Sequence, residues 1–259
     1  MKQIAEYFLS EKDFTKKVEK VYYFSKKQHL FFDKSSIMKA EIARMFVEMM
    51  NLDVDLNELV TASLVYNFKK IDGPTEIQRA KKEIYKDRVF FKELGFSEEF
   101  GVSCSQHTRL VKGETRTKEG DILELIDQFG GLILHRENRI AFKVEDALDI
   151  LENKNMVNKP NRYLDEFIFF IDVMDEIKLK GGLGIFSKLQ SQINSISKKD
   201  VSSAMRIVYD LRTNIQNLIL AENEELFEDD INYIKLLRRA TRKTIELFEY
   251  NKNRGRIEI

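Results

Sequence analysis

SIMKAEIARMFVEMM, residues 36–50, places Ile37, Ala40, Ala43, Phe46, Val47 and Met50 at steps of three and four. Those steps return to one side of a helix of 3.6 residues per turn, so the segment predicts an amphipathic helix, with Ser35 and Ser36 available to cap its start. On its N-terminal side, Ile4, Tyr7, Phe8, Phe14, Val18, Val21 and Tyr22 repeat the pattern over residues 2–31, as one or two helices broken near Ser10. On its C-terminal side a companion helix is expected over 56–67, and the turn chemistry of KKIDGPT closes it at 69–75. Helices are then expected near 76–93, 97–110, 119–134 and 144–152, with Ser97 as an N-cap followed by Glu98 and Glu99 in the first turn. No run alternates with period two and no repeat of 20–50 residues appears, so the fold class is all-α.

Composition agrees with long helices. Two Pro and 11 Gly in 259 residues leave few helix breakers. With 43% hydrophobic and 33% charged residues the chain can bury a core beneath an ionised surface, which excludes collagenous and disordered classes. The single Cys104 excludes an intramolecular disulfide, and the charged start from Lys2 to Asp13 is no signal peptide, so a cytoplasmic location is expected. No window reaches the roughly 18 apolar residues of a membrane span; 167–174 is interrupted by Asp172. Forty-three basic residues balance 43 acidic ones, so no overall field favours nucleic acid.

The polar stretch ENKNMVNKPNR at 152–162 contains the second proline and is the best domain boundary. The expected division is an N-terminal helical segment, 1–34, a helical domain, 35–155, and a C-terminal helical domain, 156–259. The last holds helices near 163–177, 185–196, 200–221 and 229–250, with a glycine turn at Gly181, Gly182 and Gly184. Val201, Met205, Val208, Leu211, Ile215 and Leu218 are spaced to pack in an antiparallel bundle or along a dimer seam.

Four segments in order carry a resemblance: IMKAEIARMFVEMMNL from residue 37, ASLVYNFKKI at 62–71, SCSQHTRLVKG at 103–113, and DILELIDQFGGLILHRENR at 121–139 followed by VEDALDIL at 144–151. Together they resemble a degenerate HD phosphohydrolase domain, most of all its HD-GYP branch of cyclic di-GMP phosphodiesterases, over under half of the chain. The resemblance places Tyr66 and Asn67 where the family has its His-Asp dyad, and Ser35 where it has a first metal-binding histidine. It matches His107 to one retained histidine, Asp127 to the distal metal-binding aspartate, and Lys70 to the family lysine; Arg136 and Arg139 fall near the family arginines. The family reaction uses two or more metals such as Fe or Mn to generate hydroxide and clamp phosphodiester oxygens. A serine hydroxyl, a protonated phenol and a neutral amide cannot replace His, His and Asp, and His107 with Asp127 supplies at most two donors. The resemblance therefore implies a pseudoenzyme with no resident cofactor, Tyr66 and Asn67 filling the vacated cavity.

Lys70, Arg109, Arg136 and Arg139 remain as candidate contacts to phosphate or nucleotide, given the match of guanidinium to phosphate. A phosphate cradle at KGGLGIFSK lacks Walker spacing, and a plain turn is preferred. The basic residues 235–256 face neighbouring acids and favour charge pairing over RNA, and Cys104 is read as inert. The expectation is a catalytically inactive HD-GYP-like signalling or scaffolding protein that acts through a protein partner or homodimer; the alternative is a cyclic-dinucleotide sensor or residual metal-dependent phosphodiesterase.

Overall fold

The segment that begins at Lys34 carries polar residues inside its apolar pattern, and burying it requires helices on every side. The computed structural model describes residues 3–69, 86–110, 114–136, 139–177, 179 and 182–220, the last five as backbone alone. Among these residues the chain is helical, its β structure confined to isolated bridges such as Arg136 with Arg139. The helices are α1 (Ile4–Leu9), α2 (Phe14–Lys27), α3 (Lys34–Met50), α4 (Leu56–Val65), α5 (86–93), α6 (Glu98–Ser105), α7 (Lys118–Leu132), α8 (Val144–Ile150), α9 (Leu164–Glu176), α10 (Ile185–Ser195) and α11 (Val201–Leu220). A π-helical turn, Leu151–Asn155, extends α8.

α3 is the axis of the fold. It packs against α4, α7, α9 and α11, and 13 of its 17 residues are buried, Lys39 and Glu41 included. Its cap is Asp33, which accepts the Ser35 amide, rather than the serines that the sequence offered. Asp13, Asp55, Ser97 and Thr117 cap α2, α4, α6 and α7, each accepting the amide of the third residue of its helix and so satisfying a donor that the first turn leaves open. Asn51 ends α3 in the left-handed region at φ 50°.

The boundary expected at 155/156 does not divide the core. Phe167 on α9 meets Phe46 on α3 and Phe129 on α7 edge-on, with ring centroids 5.1 and 5.7 Å apart, and Phe170 meets Phe186 on α10 at 5.4 Å. One continuous apolar cluster runs from Ala5 to Ile215. The expected N-terminal segment 1–34 joins it: buried Lys17 on α2 donates to the Phe8 carbonyl and to Thr61 Oγ1 on α4, both at 2.8 Å. The stripe on α11 is spent inside the chain, since Val201, Val208, Leu211 and Ile215 are buried and α11 packs on α3, α10 and α2. The side chain of Leu218 lies outside the described residues. Lys34 Nζ donates to the carbonyls of Ile193 and Ile196, closing the end of α10 from the start of α3. No helix among the described residues is long and apolar enough to cross a membrane.

Candidate functional site

Four helices bring polar groups to one point beside the core. α3 contributes Lys39, the end of α4 contributes Tyr66, the turn after α6 contributes His107, and α7 contributes Asp127. Lys39 Nζ lies 2.7 Å from Asp127 Oδ1 and donates to the Tyr66 oxygen at 3.0 Å; Tyr66 donates its hydroxyl proton to the same Asp127 oxygen at 2.6 Å. The His107 ring packs on Tyr66 with centroids 4.8 Å apart, and its Nδ1 donates to the Cys104 carbonyl at 2.7 Å.

The lysine reaches Asp127 because α7 lacks a side chain at residue 130. A Cβ on Gly130 would stand 2.9 Å from Lys39 Cγ and 3.0 Å from its Cε, so the glycine is the groove through which the lysine stem passes. Asp127, Gly130 and Gly131 fall at i, i+3 and i+4, on one face of α7. Gly131 serves a second cation, as a Cβ there would lie 2.6 Å from Arg136 Nη2.

Electrostatics follow from this placement. Burial alone would raise the Asp127 carboxyl, but the Lys39 ammonium, His107 and the hydrogen bonds from Lys39 and Tyr66 outweigh it and hold the carboxyl well below the usual carboxylate range. Burial, then the negative charge of Asp127, pushes the Tyr66 phenol well above its ordinary value, with a smaller opposing contribution from Asn67. The phenol thus keeps its proton beside an ionised carboxylate.

Asp127 also borders a cavity of about 390 Å³ lined by Gln128, Leu132, Arg136, Arg139, Phe142, Lys154 and Asn155 among others. Lys154 and Asn155 come from the π turn, a local widening of the helix found often at functional sites. Arg139 lies over the Phe142 ring at 4.9 Å, and its Nη2 donates to the carbonyls of Gly131 and Leu132. Its Nε is buried with no hydrogen-bond partner among the described residues. Burial, then neighbouring Arg136, lowers the Arg139 guanidinium from its ordinary value.

The candidate residues therefore separate. Asp127, Tyr66 and His107 meet at one point, and Arg136 and Arg139 meet at the adjoining cavity. Ser35 lies apart, its hydroxyl on Asp33. Arg109 is engaged elsewhere, bidentate with buried Glu124 at 2.6 and 2.7 Å and donating to the Pro160 carbonyl. It belongs to a network in which Arg116 and Arg162 also hold Asp121, and Arg116 reaches Glu124. The N-terminus of α10, where the sequence favours a plain turn over a phosphate cradle, is filled by Asp175, which accepts from the Ser187 amide at 2.7 Å and its hydroxyl at 2.6 Å. Lys70, Gly181 and the basic residues 235–256 lie outside the described residues.

Sequence reasoning missed Lys39 and Lys154. The signal for Lys39 was the Gly130-Gly131 pair inside a helix, which costs about 1 kcal/mol per glycine and marks a close approach. Asp127 is held by Lys39, and among the described residues no group of three or more His, Cys, Asp or Glu is placed to hold a metal ion. No family model, no curated protein and no solved structure matches the chain.

Proposed function

We propose that the chain is a catalytically inactive, HD-GYP-like signalling or scaffolding protein that works in the cytoplasm through contacts with a protein partner or a second copy of itself. The observation that carries this reading is the Lys39 ammonium between Asp127 and Tyr66. Metal-dependent phosphodiester hydrolysis needs an open coordination position and a metal-bound hydroxide at the point where that ammonium lies. Tyr66 cannot act as a base in its place, since burial and Asp127 keep its proton on. The surrounding helices keep their packed frame, which supports a role resting on the shape of the bundle.

A second reading, a cyclic-dinucleotide sensor, is favoured by the cavity where Arg136, Arg139 and Lys154 gather around Asp127. With Asp127 neutralised by Lys39, those three cations give the cavity a surplus of positive charge suited to phosphate.

The test is turnover by the purified full chain, supplied with Mn²⁺ or Fe²⁺, on cyclic di-GMP and on a simple phosphodiester. No hydrolysis above that of buffer with metal is expected. Turnover that disappears in Asp127→Ala overturns the reading.

A further inference from the structure

We infer that the chain pairs with a second copy of itself across α11, the two helices running in opposite directions about a two-fold axis at Tyr209, so that the acidic residues 222–230 of each copy meet a pole of lysines on the other. The inference deepens the proposed function and rests on its reading that the chain acts through contacts with a second copy.

The pole is assembled from separate stretches of chain. Lys26 and Lys27 end α2, and Lys198 and Lys199 precede α11. The Lys34 amide donates to the Lys198 carbonyl at 3.1 Å and Lys198 Nζ lies 5.6 Å from the Phe31 ring, which brings the two pairs to one end of the bundle. Lys26 is likewise held over the Tyr22 ring at 5.1 Å. All four lysines are exposed, and none forms an ion pair among the described residues. The acids next to them in the chain are spent: Asp33 is buried at the start of α3, and Asp200 accepts the Ser203 amide. Glu19, the one acid within α2, stands two turns before Lys26.

The complement lies in the sequence just past α11, where residues 222–230 hold six acids and no basic residue. The pole of their own copy is out of reach. Glu222, Glu224 and Glu225 follow Leu220 by at most five residues, about 18 Å at full extension, whereas the pole lies about 30 Å back along the 20 residues of α11.

An antiparallel second copy removes that distance. Tyr209 stands eleven residues after Lys198 and eleven before Leu220, so pairing about it sets the end of each α11 level with the other's Lys198 to within a turn. The face brought together is the outward one, since the stripe through Val208 and Leu211 belongs to the core. Tyr209 is 61% exposed there, and Arg206 and Asp210, 85% and 55% exposed, are only loosely paired on their own helix at 3.9 Å. Across the axis Arg206 of one copy comes opposite Asp210 of the other, as a self-complementary interface requires.

The test is sedimentation equilibrium of the full chain at about 0.1 M and about 1 M salt, where charges are screened beyond about 10 and about 3 Å. The wild type is expected to be a dimer at low salt and to dissociate at least tenfold more readily at high salt. Lys198→Glu with Lys199→Glu is expected to weaken the dimer at least tenfold. Adding Glu222→Lys, Glu224→Lys and Glu225→Lys to that chain is expected to restore it, which also shows that the reversed lysines leave the fold intact. Tyr209→Lys, which sets like charges against each other at the axis, is expected to give a monomer with an unchanged helix signal. A wild type that is monomeric at about 100 µM, where a micromolar dimer is almost wholly formed, and that turns over no phosphodiester overturns this inference alone. A dimer indifferent to both the lysine reversals and Tyr209→Lys overturns it as well. Turnover that disappears in Asp127→Ala overturns the proposed function whatever the oligomeric state.

Discussion

The Glu41 carboxylate on α3, fully buried, accepts from the Arg212 guanidinium on α11, 171 residues later in the chain, with Arg212 Nε 3.0 Å from both carboxylate oxygens. Arg44 holds the same carboxylate from one turn along α3, and the Arg212 guanidinium lies over the Phe14 ring of α2 at 3.9 Å. One residue of the last described helix thus ties together two helices from the first fifth of the chain. That tie holds α11 against the helices at the start of the chain.

Arg212→Ala is therefore expected to destabilise the whole chain in a single transition. Removing one partner of a buried pair costs about 3–5 kcal/mol, and because Arg44 still compensates Glu41 the loss here is expected at about 2–3 kcal/mol. Chemical denaturation followed by helix signal measures it. A loss below about 0.5 kcal/mol, the range of ordinary surface substitutions, would show that α11 is not held by this contact.

Gly130→Ala offers a test whose sign changes with its neighbour. Alanine is favoured over glycine inside a helix by about 1 kcal/mol, but here its Cβ strikes the Lys39 stem, and forcing atoms into a packed site costs about 1–3 kcal/mol. Net destabilisation is expected in the wild-type background. With Lys39→Ala the obstacle is gone and the same substitution is expected to stabilise by up to about 1 kcal/mol. Thermal melts of the four proteins in the cycle give the answer, and equal effects in both backgrounds would place the lysine stem elsewhere.

Lys17 supplies a pH dependence. Burial, only partly offset by the charge of Glu11, pushes its ammonium down to about 8 from an ordinary 10.5, with Lys20 adding to the fall and Asp55 opposing it. Between those two values the unfolded chain holds a proton that the folded chain has released, so folding gains stability as pH rises from about 8 to 10.5 and is flat with respect to this group below 8. At one pKa unit per 1.36 kcal/mol the full rise is roughly 3 kcal/mol. Lys17→Met is expected to remove that rise and leave a curve set by the remaining groups. Denaturant midpoints from pH 7 to 10.5 check it, and coincident pH profiles for the two proteins would contradict it.

The helices were legible because their apolar residues repeat at 3.6. Ser97 caps α6 as the sequence suggests, its hydroxyl accepting the Phe100 amide at 3.0 Å, and the break near Ser10 separates α1 from α2. What periodicity cannot report is the partner of a polar side chain. Lys39 and Glu41 fall outside the residues named for the apolar face of α3, yet both are buried, because α7 and α11 bring a carboxylate and a guanidinium from 88 and 171 residues away. The same blindness grouped Arg109 with Arg136 and Arg139. The resemblance puts all three around one expected substrate mouth, but Glu124, one turn before Gln128 on α7, engages the first and leaves the others at the cavity.

That separation yields a prediction about ligand binding. Binding of cyclic di-GMP to the full chain, measured calorimetrically at fixed salt, is expected to weaken by about 10- to 100-fold in Arg136→Ala and in Arg139→Ala. Each loses a hydrogen bond between charged partners, worth about 1.5–3 kcal/mol. Lys154→Ala removes a point charge rather than a bidentate fork, and a smaller loss follows. Arg109→Ala should leave affinity unchanged while lowering stability, because its guanidinium is spent on Glu124 and on the Pro160 carbonyl. Chelator should change none of these affinities, since the cation beside Asp127 is the chain's own Lys39. Loss of affinity in Arg109→Ala equal to that in Arg139→Ala would move the ligand to the far side of α7. No saturable binding by any of the proteins would leave protein contacts as the bundle's function.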